Sequence, residues 1–404
     1  MSGATIKRDL RTGRSPWADS PGLGVPVRPL REAIAVDVAV VGAGISGAFM
    51  AHELSRDHSV AVLDRRPPLM GSTIASTALL QWEVDLPLTA LAERIGTAKA
   101  RRAYLRSRRA VDDLKRVVAE EAIRCGCHDK ATLYLAGDAY GHRALEAEAE
   151  ARAAIGLESE YVGPAALRER FGIDRTGAIL SQGSASGDPA RLAAGLLRRA
   201  DAAGARVYSP VEVMEAVSDP EGVTLLTDAG HAVRAKSVVF CCGYEFPKGV
   251  PTPGATVIST WAMASKPRQP CPAWLRDTLV WEASNPYLYL RMSGDGRLIV
   301  GGEDEPSPTA HADKAKLKRK CAAIARKLKV LLPGVEFDID YSWAGAFGES
   351  ATGLPSIGPV PGMDHAWAVM GFGGNGITYS VIASQVVSAA LRGRPDADAD
   401  LYRP

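Results

Sequence analysis

Residues 36–64 read VDVAVVGAGISGAFMAHELSRDHSVAVLD: an apolar run, then Gly42, Gly44 and Gly47 in GxGxxG spacing, a helical segment, a second apolar run and an acid. Strand, glycines, helix, strand and terminal acid in that order within about 30 residues are the signature of a dinucleotide-binding βαβ unit. Gly42 allows a tight turn off the strand, Gly44 lets the backbone approach a pyrophosphate, and Gly47 lets helix and strand pack closely. The helix that opens at Ile45 and Ser46 is expected to aim free N–H groups at phosphates. Asp64, followed by Arg65, stands where an acid accepts hydrogen bonds from an adenosine ribose.

Working outward, residues 1–34 carry Pro16, Pro21, Pro26 and Pro29, several basic residues and no apolar period, which predicts an irregular arm. Residues 97–123 place Tyr104, Val111, Leu114 and Val118 on one helical face. Lys99, Arg101, Arg102, Arg106, Arg108 and Arg109 crowd the first half of that helix and are read as a solvated face rather than an anionic-partner site. Residues 172–187 read as a loop, and Asp188 with Pro189 as the N-cap and first-turn proline of a helix. Strand-like runs follow at 205–217, 222–228, 231–235 and 236–243. Residues 313–332 read as a basic helix, and residues 365–393 as strand, glycine loop and helix. Cofactor-type segments therefore occur at the start, middle and end of the chain. The expected division is an arm at 1–34, a discontinuous cofactor domain at 35–90, 185–255 and 340–404, and a substrate domain at 91–184 and 256–339.

The 404 residues carry a formal net charge of +2, so no global field argues for nucleic acid or a membrane surface. The six cysteines lack a disulfide-framework spacing, and Cys125, Cys127 and His128 lack a second ligand pair, so no metal is expected. No segment reads as an integral membrane span, and a reducing cytoplasm suits the composition.

Gly371, Phe372, Gly373, Gly374, Asn375 and Gly376 precede a second helix beginning near Ile377 and Thr378. A helix N-terminus beside glycines suits a flavin, because hydride arriving at N5 builds negative charge over N1 and the C2 carbonyl. Hydride transfer to a nicotinamide neutralises a positive ring and has no such need. This shifts the expected cofactor to FAD.

The quoted unit, together with GSTIASTALLQWEVD at 71–85, GDPARLAAGLLRRADAAGARVYSPVEV at 187–213, VVFCCGYE at 238–245, YLYLRMSGDGRLIVGGEDE at 287–305, WAGAFGESATGLPSIGPVPG at 343–362 and GFGGNGIT at 371–378, resembles the D-amino acid oxidase superfamily. These are FAD-dependent amine and amino acid oxidoreductases, among them glycine oxidase, sarcosine oxidase and D-amino acid dehydrogenases. The resemblance implies an α/β fold: a Rossmann-like FAD-binding domain of the GR2 type with an interleaved α+β substrate domain built on a mixed or antiparallel sheet. It implies that Gly71, Ser72, Thr73, Ser76, Thr77 and Ala78 run along the pyrophosphate, ribityl chain and ring. It further implies that Val211 meets the adenine, that Gly243 lies beside the dinucleotide, and that Gly373, Gly374, Asn375, Gly376, Ile377 and Thr378 underlie the flavin's pyrimidine edge. FGESATGLPSIG at 347–358 lacks the cysteine that attaches flavin in some members, so FAD is expected to be noncovalent. Ile74, Ala78 and Gln81 stand where the sarcosine-oxidase-like group has basic residues, which argues against a sarcosine-type site. No GD-containing motif precedes Ile377, which argues against a hydroxylase.

On the substrate side, Tyr287, Tyr289 and Arg291 alternate with Leu288 and Leu290 and so share one strand face. Arg291 is expected to pair with a substrate carboxylate bidentately and Tyr289 to orient it. Trp261, Gln81 and Trp82 are further candidates, and Glu83 is read as completing an ion pair. The function expected is oxidation of the C–N bond of an amino acid or secondary amine, with hydride passing to flavin N5 and then electrons to oxygen or another acceptor. The alternatives are an NAD(P)H-dependent flavoprotein reductase or hydroxylase, and a non-catalytic FAD-binding subunit of a complex.

Overall fold

The apolar run of the opening unit is the middle of a parallel sheet. Strand Ile34–Val41 pairs in parallel with Val60–Leu63 on one side and Ala232–Phe240 on the other. Arg206–Tyr208 and Ala366–Met370 extend the sheet in parallel on either side, and Ser356–Pro359 closes one edge antiparallel. Covered on both faces, these strands read as continuous rather than alternating apolar runs. The structure, a computed structural model, describes residues 3–250 and 255–403. Residues 1 and 2 of the expected arm, and residues 251–254 and 404 of the expected cofactor segments, lie outside the described residues.

The runs 231–235 and 236–243, expected as two strands, are one. The first half of Ala232–Phe240 pairs with Gly222–Thr227 and the second half with Ala366–Met370. Helices Ile45–Leu54, Pro189–Ala202 and Gly376–Leu391 pack together against this sheet. Asp188 caps the second of them, its carboxylate accepting from the N–H groups of Ala190 at 2.9 Å and Arg191 at 3.0 Å.

A larger mixed sheet carries the strands Arg11–Arg14, Ile339–Ser350, Ala255–Ser265, Leu298–Glu305, Leu288–Met292, Thr278–Glu282, His128–Leu135, Ala178–Ser186 and Leu79–Leu80, in that order, with Ser159–Val162 added on Ala178–Ser186. Within it only Thr278–Glu282 and His128–Leu135 pair in parallel among the described strands. The expected loop at 172–187 is thus largely strand. Its serines and glycine carry weak β propensity, but strand Ala178–Ser186 gains partners on both sides, and the hydroxyls of Ser181 and Ser184 bond to Ser159 and Thr132. Leu79–Leu80 and Ile339–Ser350 belong to this larger sheet, although both fall in segments expected for the cofactor domain.

The arm is ordered rather than irregular. Arg11–Arg14 adds an antiparallel edge strand to Ile339–Ser350, a short 3-10 turn spans Pro16–Asp19, and Leu10, Trp17 and Leu30 are buried. Backbone pairing and three anchors replace the missing apolar period. The basic helix Thr97–Glu120 is not simply solvated either. Arg102 pairs with Asp398 and Asp400, and Arg106 with Asp396, so its anionic partner is the chain's own C-terminal segment. No described helix is long and apolar enough to cross a membrane.

Between these elements lies a buried ion network. The Arg152 Nε donates to Glu148 at 2.7 Å, and its guanidinium stands 3.9 Å from Glu83 and over the rings of Trp82 and Tyr104. Glu148 in turn accepts from the N–H groups of Leu88 and Thr89, capping helix Leu88–Ile95. Glu83 therefore completes an ion pair. Arg152→Ala would leave two buried carboxylates without their cation, and is expected to lower stability by about 3–5 kcal/mol, read by urea unfolding; a loss below about 1 kcal/mol would show that the network is not needed.

Candidate active site

A cavity of about 650 Å³ runs between the two sheets, with lining residues from both. At one end lie Gly42, Gly44, Ile45, Ser46, Asp64, Arg65, Val211 and Gly243. Backbone approach here is close. A Cβ on Gly47 would fall 1.8 Å from the Gly42 carbonyl oxygen, and one on Gly42, whose φ is +113°, would fall 2.4 Å from the Cys241 carbonyl. Gly47 thus packs the turn and does not itself line the cavity.

The polar groups at this end are organised by the chain itself. The Asp64 carboxylate accepts from the Ala43 N–H at 2.7 Å and the Arg66 N–H at 2.8 Å, and burial raises its pKa despite those bonds. The Ile45 N–H, expected to be free for a phosphate, donates to the Thr73 hydroxyl at 2.9 Å. The N–H of Val211 donates to the Asp64 carbonyl at 2.8 Å, so an adenine would meet this residue's carbonyl or side chain. Arg65 and Arg66 both pair with Glu245.

Gly71, Ser72, Thr73, Ala75, Ser76, Thr77 and Ala78 form one wall along the length of the cavity. At the far end Gly373, Gly374, Asn375, Gly376 and Ile377 line it where helix Gly376–Leu391 begins. Thr378 does not line the cavity; its hydroxyl is buried and donates to the Gln81 carbonyl at 2.9 Å. The Ser46 and Ser380 hydroxyls, 2.8 Å apart, tie the two helix N-terminal regions together.

The family model for the DAO family, FAD dependent oxidoreductase, matches residues 37–390. The chain belongs to the DAO family of FAD-dependent oxidoreductases. Relatives include a putative Rieske 2Fe-2S iron-sulfur protein of Bacillus subtilis, 23% identical over 93% of this chain and 72% of that one. Gamma-glutamylputrescine oxidoreductase of Escherichia coli is 25% identical over 95% of this chain and 91% of its own. Among solved structures, glycine oxidase from Geobacillus kaustophilus superposes with a TM-score of 0.76 at 23% identity, covering 90% of this chain and 96% of that one. The fold is the DAO-family α/β fold.

FAD fits what the cavity offers. Two helix N-terminal regions open on it; Gly243 faces open space, and at Gly373 and Gly374 the near neighbour is the end of the Asp85 side chain. When bound, FAD supplies a two-electron acceptor. The residues around it differ from the expectation in one important respect. Tyr289 and Gln81 line the cavity, but Arg291 and Trp261 do not. Trp261 is fully buried on the other side of the sheet's core, with the Lys320 ammonium 4.7 Å from its ring centroid. Arg291 is 1% exposed; it donates to the carbonyls of Thr77, Gly187 and Met292 and lies over the Trp17 ring at 5.3 Å. Burial pushes its pKa down to about 9, with Asp188 and Asp295 opposing that. Tyr289 and Arg291 nonetheless share one face of their strand, since both reach Thr77. The arm's Trp17, however, covers the Arg291 end.

The far end joins the expected Tyr287 and Tyr289 to Tyr134 and Trp281, which the sequence did not single out. Tyr134 stacks on Trp281 at 3.8 Å between centroids, and Tyr287 and Tyr289 sit 5.7 Å apart; all four line the cavity. The Tyr289 ring lies flat over Gly301 of the neighbouring strand, where a Cβ would come within 2.3 Å of the phenol oxygen. Asp304, beside the hydroxyls of Thr260 and Tyr287, has its pKa raised by burial to about 6. Asp85 reaches open cavity space but is surrounded by protein. That surrounding, with Asp304 and Glu349 nearby, raises its pKa to about 6 even though it accepts from the Gly374 N–H at 2.9 Å. The anion at the second helix end is therefore this carboxylate. An acid closing the run 71–85 was the visible signal for Asp85; nothing local marks Asp304.

Gly47→Ala is expected to force apart the turn that shapes the cavity, destabilising the protein by about 1–3 kcal/mol and weakening FAD binding roughly tenfold or more. Titration of apoprotein with FAD reads the second effect, and an unchanged dissociation constant would mean the turn does not carry the cofactor.

Proposed function

We propose that this DAO-family enzyme oxidises the C–N bond of a small amine, passing hydride to the flavin N5, and that the group beyond the reacting nitrogen is cationic or neutral rather than a carboxylate. The observation that carries this reading is the charge of the cavity's far end. Asp85, Asp304 and Glu349 line it together with four aromatic rings, while Glu305, also on the lining, is paired with Lys316. Of the cavity-lining cations, Arg65 and Arg66 sit at the opposite end, paired with Glu245, and Arg94 donates to the Ala351 carbonyl. An ammonium gains from carboxylates and from ring faces alike. A carboxylate would meet repulsion. Among the relatives, one bears the name of a gamma-glutamylputrescine oxidoreductase and others that of glycine oxidase, so the family accommodates both kinds of amine.

Hydride departure requires an uncharged nitrogen, so the substrate ammonium must first lose a proton. Asp304 is suited to accept it: its pKa near 6 leaves it ionised at neutral pH yet basic enough to share a proton. Tyr287 and Thr260 orient that carboxyl, and Asp85 and Glu349 add negative potential around it. The aromatic walls exclude water from the reacting face.

Anaerobic flavin reduction tests this, screened across 1,4-diaminobutane, butylamine, N-methyl amino acids, cyclic imino acids, and D- and L-amino acids. Amines lacking a carboxylate, and diamines above all, are expected to bleach the flavin fastest. Bleaching by NADH without amine would instead identify a reductase, and a panel that reduces nothing would leave only a binding role. Asp304 carries its charge above pH 6 and loses it below, so its contribution should grow as pH rises from 5 to 8. Asp304→Asn is expected to slow reduction by roughly 10²-fold or more at pH 8 and to differ little from the parent at pH 5. A constant ratio across that range would remove Asp304 from the role.

A further inference from the structure

Four consecutive backbone carbonyls, those of Ile74, Ala75, Ser76 and Thr77, are each held by a side chain from elsewhere in the chain. Ser15 Oγ donates to Ile74, Trp343 Nε1 to Ala75 at 2.8 Å, Trp17 Nε1 to Ser76 at 2.7 Å and Arg291 Nε to Thr77 at 2.6 Å. All four donors are buried, and none of them lines the cavity, whereas Ala75, Ser76, Thr77 and Ala78 do. Two donors come from the N-terminal segment and are fastened in turn. Arg11–Arg14 is zipped onto the strand that carries Trp343, Tyr341 donates to Asp19 at 2.7 Å, and the Arg291 guanidinium lies over the Trp17 ring.

In a trans peptide the N–H points opposite to the C=O. Drawing four carbonyls behind the wall therefore turns the electron-poor edge of these peptides toward the cavity. Of the N–H groups involved, Ser76 donates weakly to Thr73 at 3.3 Å and Ala78 to the Ser76 hydroxyl at 3.1 Å, so these turns are also locked from within. An isolated loop of this composition would present carbonyls and N–H groups at random. A wall of fixed peptide dipoles with the positive side inward favours an anionic ligand, and favours it more as charge develops.

We propose that Ser15, Trp17, Arg291 and Trp343 form a carbonyl clamp that positions segment 74–78 against FAD, making the N-terminal segment a working part of the cofactor site. This rests on the assignment of segment 71–78 to the cofactor. The four are positioning residues acting through the backbone. A buried hydrogen bond of this kind contributes on the order of 1 kcal/mol, and more from a charged donor. Arg291 accordingly serves the cofactor wall rather than a substrate carboxylate.

The test uses the full chain stripped of FAD and titrated back. Trp17→Phe removes only the indole N–H while keeping an aromatic ring, and Arg291→Met removes the charged donor while keeping bulk. Both are expected to raise the FAD dissociation constant, by about 5-fold and more than 10-fold, respectively. Both are also expected to move the flavin midpoint potential to more negative values, because a freed carbonyl edge opposes charge on the reduced ring. Trp17→Phe removes no charge and keeps an aromatic ring, so a shift in potential there reports the freed carbonyl rather than a lost cation. Trp274→Phe, half-buried against Phe171 at the margin of the larger sheet's core, serves as the control for a lost indole and should leave both quantities unchanged. Ser76→Phe fills the cavity side of the same segment and separates the two possible failures. If it weakens FAD binding while Trp17→Phe and Arg291→Met leave affinity and potential at parental values, the clamp is overturned. If Ser76→Phe leaves FAD binding intact, the segment does not touch the cofactor and the underlying assignment falls with it.

Discussion

The turn at Gly42 has no room for a side chain on either of its two key glycines, and that exclusion organises the cavity. Because the Gly42 carbonyl occupies the place of a Gly47 Cβ, strand Ile34–Val41 and helix Ile45–Leu54 approach as closely as backbones allow. A short series of hydrogen bonds then carries the geometry outward. Asp64 fixes Ala43, Thr73 fixes Ile45, and Ser46 meets Ser380 on the second helix. From there Thr378, Asn375 and Gly374 bond in succession to Gln81, Glu83 and Asp85, so the strip 81–85 is laid across the second helix end. Both ends of the cavity thus take their shape from one backbone contact.

The two ends differ in electrostatic character. Near Asp64 each cation has an acid close by: burial would push the Glu245 carboxyl up, but Arg66 and Arg65 hold it below its ordinary range. At the other end Asp85 and Asp304 both rise in pKa, first because burial penalises their charged forms and further because of the neighbouring carboxylates. A cavity that is balanced at one end and acidic at the other orients a ligand by charge before any close contact forms.

What could be read from the sequence follows how local each signal is. The glycine spacing, the Asp188 cap and the second glycine loop depend on neighbours within a helical turn or two, and in the structure each glycine run precedes a helix and Asp188 caps one. The alternation in 287–291 correctly gave a shared face, but a face says nothing of what covers it, so Arg291 was read as open to substrate when Trp17, 274 residues earlier in the chain, lies against it. The strand at Ala178–Ser186 was missed for a related reason: its stability comes from strands on both sides and not from its own serine-rich composition. Asp304 sits in the acid-rich end of strand Leu298–Glu305, where nothing distinguishes it from Glu303 and Glu305; its environment is made by Thr260 and Tyr287, which tertiary pairing alone brings near.

The pairing of Arg11–Arg14 with Ile339–Ser350 also bears on the order of events in synthesis. The ribosome makes the first strand early, yet the strand it must join emerges only after more than three hundred further residues. Through most of translation, then, the edge of the nascent N-terminal segment is unpaired, and Trp17 lacks the cover that Arg291 later provides. Contacts of such long sequence separation form slowly and leave partly folded chains open to association. The pairing of Arg11–Arg14, and with it the setting of Trp17 behind the cavity wall, can be completed only once the strand Ile339–Ser350 has been made.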